Sequence, residues 1–148
     1  METEEQILPK EILARAIRSG KEFGWRQQDF ISTVLAAQSA GLGIIGGQVQ
    51  FVLPDGTCEL YWLSYDTEER QSGETWKEYC SRTARECIAK FQKLVDTDFV
   101  KEGVQHFDFL KAKATDGVDL LQYLTFILYF NDHETWLEQK ADAPNRGF

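Results

Sequence analysis

Gln48-Val49-Gln50-Phe51-Val52-Leu53, then Pro54-Asp55-Gly56, then Thr57 through Tyr65 is the stretch on which the fold turns. Residues 48–53 alternate polar with apolar and are rich in β-formers. Proline pre-sets φ at the first turn position, and glycine tolerates the positive φ that closes such a turn. The stretch predicts a β-hairpin. Its second strand carries Leu60-Tyr61-Trp62-Leu63, apolar on both sides, so both faces are expected to be at least partly covered.

On either side the periodicity changes to that of helices. Before the hairpin, Ile12, Leu13, Ala16 and Ile17 recur at helical spacing after Pro9 and predict a helix ending near Gly20. A second helix is predicted from Gln27 to Ala40, with Phe30, Ile31, Val34, Leu35 and Ala37 as its stripe and Gly41 as its stop. After the hairpin, Trp76, Cys80, Ala84, Cys87, Phe91 and Leu94 step by three or four, the mark of a long amphipathic helix. Ser72 is the expected N-cap, with Glu74 in the first turn.

Beyond Asp96 two readings compete. Phe99, Val104, Phe107 and Leu110 suit a helix, whereas 105–109 could alternate in a strand. Leu120 to Phe130 is mostly apolar, interrupted by Gln122 and Thr125. Its leucines favour a buried helix and its aromatics a central strand, and the helix is preferred. Asp132 is placed to cap a last short helix through Trp136 and Leu137. The sum is an α+β class: an antiparallel hairpin or small sheet at about residues 44–65, packed against several α-helices that dominate. The 148 residues read as a single domain with a flexible C-terminal tail from about 141.

Composition narrows the function. Hydrophobic residues make up 43% and charged ones 27%, as in an ordinary folded domain. The net charge of −8 repels phosphate backbones and anionic lipid, so neither nucleic acid nor membrane is expected as a partner. Five bases, Lys77, Arg82, Arg85, Lys90 and Lys93, lie on the long helix and read as a solvated face. The longest apolar run is far short of the ~20 residues that span a bilayer. Three cysteines without a CxxC pair suggest neither disulfides nor zinc and suit a reducing, cytoplasmic setting.

Gly41-Leu42-Gly43-Ile44-Ile45-Gly46 matches GxGxxG, yet a helix precedes it and a strand follows. In the dinucleotide site the order is the reverse, so that the following helix aims its N-terminus at the pyrophosphate. No cofactor is expected. His106 and His133 are the only histidines, and no HExxH or HxH spacing suggests a metal. There is no GxSxG elbow, and Cys80 and Cys87 share the apolar face of their helix, which argues against a thiolate. The balance falls against an enzyme.

One constellation remains. Tyr61 and Tyr65 alternate with Trp62 along the second strand, Glu59 precedes them, and Asp66, Glu68 and Glu69 follow directly. Aromatics bury area at low entropic cost while acids steer an encounter, so the two tyrosines and the four acids are candidates for contact with a protein partner that has a basic surface. The expected function is a non-catalytic protein-binding module, of which an acidic, immunity-type inhibitor is one case. The alternatives are a small enzyme or ligand-binding domain, and a self-associating structural subunit, since a homo-oligomer is compatible with an exposed strand.

Overall fold

The residue run taken above for a buried helix is the centre of the sheet. In the computed structural model, which describes residues 7–139, the chain forms an α+β fold with a six-stranded antiparallel sheet. The strands are β1 (Ile17–Ser19), β2 (Glu22–Trp25), β3 (Gly43–Gly46), β4 (Gln48–Leu53), β5 (Gly56–Ser64) and β6 (Leu124–Asn131), in the order β1-β2-β6-β4-β5, with β3 also pairing β6. Because β6 pairs with β2, β3 and β4, and seven of its eight residues are buried, it has no solvated side to give the alternation of a half-buried strand. The helix expected over 120–130 is thereby corrected. Only Leu120–Tyr123 is helical, as one 3₁₀ turn in which the Asp119 side chain accepts from the Leu121 amide.

The first helix is also shorter than predicted. α1 (Lys10–Ala14) stops early, and Ile17 opens the β1-β2 hairpin, which turns at Gly20 with φ +65°. The helical spacing of Ile12 to Ile17 was therefore coincidental. Elsewhere the periodicities hold. A 3₁₀ turn at Gln27–Asp29 leads into α2 (Phe30–Ser39), and Gly41, with φ +88°, ends it in the left-handed region that a side chain disfavours. α3 (Trp76–Leu94) is the long amphipathic helix, but its N-cap is Thr75 and not Ser72. Thr75 and Glu78 form a reciprocal capping box, which satisfies two amides where Ser72 would satisfy one. α4 (Phe99–His106) and α5 (Asp108–Thr115) settle the 105–109 ambiguity as helix, and Asp132 caps α6 (His133–Glu138) as expected. The tail predicted from about 141 lies outside the described residues.

One side of the sheet holds the core. Phe51 and Phe126 project from it toward the helices. There Phe30 of α2 stacks on Phe91 of α3 at 4.1 Å, and Phe99 of α4 meets Phe126 edge-on at 5.5 Å. Each such ring stabilises the fold by roughly 1.5–3 kcal/mol through burial, and together they fix which side faces the helices. On β4 the alternation then sends Gln48 and Gln50 to the opposite side.

Candidate functional site

The glycine stretch runs from the end of α2 into β3, the order inferred from sequence. Its glycines serve packing: a Cβ at Gly43 would lie 2.2 Å from the Tyr79 ring, and one at Gly46 would lie 2.4 Å from the Asp66 backbone. The cysteines are all buried thiols. Burial pushes Cys58 up, Cys80 to about 11 and Cys87 to about 12, so none is a thiolate at neutral pH. His106 bonds the Glu102 carbonyl through Nδ1 and packs beside Trp62, while His133 stacks on Trp76. Among the described residues no group of three or more His, Cys, Asp or Glu is placed to hold a metal ion, and no helix is long and apolar enough to cross a membrane.

The most organised polar arrangement lies on the side of the sheet opposite the core. Glu22 of β2, Tyr129 of β6, Gln48 and Gln50 of β4 and Glu59 of β5 form a row across four adjacent strands. Register explains the row. Phe23 pairs with Leu128, which sets Glu22 beside Tyr129, and Gln50 pairs with Glu59. The Gln50 amide is 3% exposed and sits at the centre. Its Nε2 donates to Glu22 at 3.1 Å and Glu59 at 3.4 Å, while its Oε1 accepts from Ser19 at 2.8 Å. Gln48 Nε2 donates to Glu59 at 2.9 Å and to the Tyr129 phenol at 3.0 Å. Tyr129 in turn donates to Glu22. Burial, followed by that bond to Glu22, pushes the phenol up to about 12, so it remains a donor at neutral pH.

This network fixes two carboxylates without neutralising them. Among the described residues, neither Glu22 nor Glu59 has a Lys or Arg within ion-pair distance. Their partners are neutral amide and phenol donors, which hold the oxygens in place and leave each charge uncompensated. Gly24 lets the sheet curl tightly here, since a Cβ there would sit 2.4 Å from the Thr125 methyl. Thr125 and Ile127 pack over Gly24 and are buried.

β5 supplies the rest of the face. It is the last strand on its side and pairs only with β4. Leu53 and Gly56 flank the two-residue turn, and hydrogen-bonded pairs alternate from there, through Phe51 with Cys58 and Val49 with Leu60. The backbone N–H and C=O of Thr57 and Glu59 therefore point to the free edge. Tyr61 is 70% exposed and meets Trp62 edge-on. Trp62 is held by Glu102 at 2.8 Å and by the His106 and Phe107 rings, so only Tyr61 of this pair stands clear.

The six residues predicted for partner contact divide into three groups. Glu59 and Tyr61 lie on the exposed face. Tyr65 is fully buried and Asp66 is tied into the fold, its Oδ1 accepting from the Gly47 amide at 3.0 Å. Glu68 and Glu69 follow in a loop that α3 grips by its backbone. Arg82 donates to the carbonyls of both, and Lys90 donates to that of Asp66. The basic stripe on α3 is thus only partly a solvated face. Arg82 is 16% exposed and also pairs with Glu74 at 2.6 Å and Glu86 at 3.0 Å. The Glu74 contact heads the causes that hold its guanidinium charged.

Glu22, Gln48, Gln50 and Tyr129 escaped the sequence reading. The Gln-x-Gln spacing in β4 was visible, but nothing local connects it to residues more than 20 positions before or 70 after. The chain matches no protein-family model, no curated protein and no solved structure, so each functional statement must come from its own residues.

Proposed function

We propose that this chain is a non-catalytic protein-binding module that engages a basic partner through the open side of its sheet. The observation that carries the reading is the Glu22–Gln50–Glu59 arrangement, two fixed carboxylates without a cation among the described residues. Fixed acceptors lose little entropy when a Lys or Arg docks, and Arg matches a carboxylate with two parallel bonds. Tyr61 supplies an exposed aromatic beside them, and the free edge of β5 offers backbone groups to an extended segment. A stoichiometric inhibitor of a basic protein is the role that suits these properties. The buried thiols suit a reducing compartment such as the cytoplasm.

The free edge also allows a second copy to pair strand to strand, the self-association reading. Antiparallel pairing of two β5 edges would bring two Glu59 carboxylates near each other, which is unfavourable, so a foreign basic segment is preferred.

The test is affinity capture from the native cell with the full chain, compared with the Glu22→Gln/Glu59→Gln and Tyr61→Ala variants. A stoichiometric basic protein should be retained at low salt and released as ionic strength rises above about 0.15 M, where the screening length is ~8 Å. Both variants should lose it by roughly tenfold or more. Capture that is unchanged by both variants, or no stoichiometric partner at any salt, overturns the proposal. A concentration-dependent dimer in sedimentation favours the second copy instead.

A further inference from the structure

Beyond the charge of its partner, the edge of β5 constrains that partner's shape, an inference that rests on the sheet-face reading above. β5 pairs with β4 alone. Thr57 and Glu59 direct their backbone N–H and C=O to the open edge, where no turn or loop backbone meets them among the described residues. The open run is short. Leu60 and Ser64 pair with Val49 and Gln48, which are consecutive, so Tyr61, Trp62 and Leu63 have no partners on β4. Such a bulge bends a strand and interrupts regular pairing. An added strand therefore finds matched backbone only along residues 56–60, and the bulge breaks the long flat edge that invites self-association.

The two faces of that run differ. On the open face Glu59 stands beside Gln50, and its bonds from Gln48 and Gln50 both fall on Oε1, which leaves Oε2 to a partner. Tyr61, 70% exposed, follows two residues on. On the helix face, a Cβ at Gly56 would lie 2.9 Å from the Phe109 ring, and Trp62 stacks on Phe107 at 6.2 Å. Half-buried phenylalanine rings thus stand at both ends of the run. Side chains directly opposite in an antiparallel pair share a face, and their neighbours take the other. A residue set opposite Glu59 meets the carboxylate, while those before and after it turn toward the phenylalanines. We propose that β5 takes up, antiparallel, a short extended segment of the partner with a lysine or arginine opposite Glu59 and an apolar residue on either side of it. Antiparallel is the direction of every strand pair in the sheet, and the more stable pairing per residue. The Glu59 amide and carbonyl bond the backbone of the basic residue, its cation reaches Oε2, and Tyr61 offers a surface to its aliphatic stem.

The experiment titrates the full chain, by fluorescence anisotropy, with the labelled peptide Ser-Thr-Val-Arg-Val-Thr-Ser and with two copies of it, each methylated at one backbone nitrogen. In the antiparallel register the arginine N–H points at β5 and the N–H of the valine after it points away. The unmodified peptide should bind saturably and slow the hydrogen exchange of the Glu59 amide. Methylation at arginine should weaken it at least about tenfold, through a lost bond and a clash, and methylation at valine less than about twofold. Glu59→Gln should weaken the unmodified peptide by roughly fivefold or more. Equal binding of the two methylated peptides, or loss with the valine one alone, overturns the strand pairing and leaves the charge reading standing. So does the absence of saturable peptide binding alongside salt-sensitive capture of a basic protein. Peptide binding that ignores Glu22→Gln/Glu59→Gln removes the charge reading and this proposal with it. Protection of the Glu59 amide that grows with protein concentration alone assigns the edge to a second copy, and overturns it too.

Discussion

The phenol of Tyr65 donates to the carbonyl oxygen of Ile127 at 2.6 Å, so a side chain just past β5 bonds the backbone of the central strand two strands away. The same hydroxyl reaches the Gln48 carbonyl at 3.1 Å. Tyr65→Phe removes both bonds and keeps the ring against Phe30. Denaturant unfolding should register a loss of about 1–2 kcal/mol, with partner capture unchanged. Lost capture at undiminished stability would instead mean that Tyr65 touches the partner.

Of the described glycines, Gly47 has the least room for a side chain. A Cβ there would sit 1.9 Å from the Ile127 carbonyl oxygen, a backbone atom of the central strand that has no room to retreat. Gly47→Ala should therefore cost about 3 kcal/mol or more, at the upper end of overpacking effects. Thermal unfolding reads it directly, and an unchanged midpoint would contradict the packing described for β3, β4 and β6.

Glu74 and Arg82 give the fold an acid limit. Burial opposes the Glu74 charge, but the Arg82 bonds and the Gln71 amide outweigh it and hold the carboxyl below its usual 4.5. A lowered carboxyl pKa contributes stability above the unfolded value and loses it as pH falls through the folded one. At pH 7 Glu74→Gln should be less stable by about 1–3 kcal/mol, as for a hydrogen bond between charged groups. That difference should hold down to about pH 4.5 and shrink below it. A deficit that persists unchanged into acid would assign the loss to packing.

The thiols should be silent in the folded protein. With Cys80 at about 11 and Cys87 at about 12, a disulfide exchange reagent at pH 7.5 should label neither until denaturant is added. Rapid labelling of either without denaturant would mean that the face of α3 opens.

How much the sequence disclosed depended on how local each signal was. The β4-β5 hairpin carries its own turn in Pro54-Asp55, although Gly56 opens β5 and closes the turn without a positive φ, and α3 spans enough turns for its apolar stripe to be unmistakable. β6 has no such signature, because Leu124 to Phe130 is covered from both sides and so shows no alternation. The choice between helix and strand there is made by β2, β3 and β4, which arrive from distant parts of the chain. Ile17 falls at helical spacing after Leu13, which masks the short β1-β2 hairpin that presents Glu22 at the far end of the polar row. Glu59 and Tyr61 stood out by type and position. Gln50 and Tyr129 become interesting only when register places them between two acids.

Arg82 and Lys90 hold the 66–69 loop by its carbonyl oxygens, and Glu86 holds it by the amide of Glu68. Those are atoms that nearly every amino acid possesses. The course of the loop is accordingly indifferent to what protrudes at 68 and 69, apart from proline at 68, which has no amide to offer Glu86. Related chains could exchange the chemistry displayed at this rim, from acid to base or to aromatic, without refolding around it.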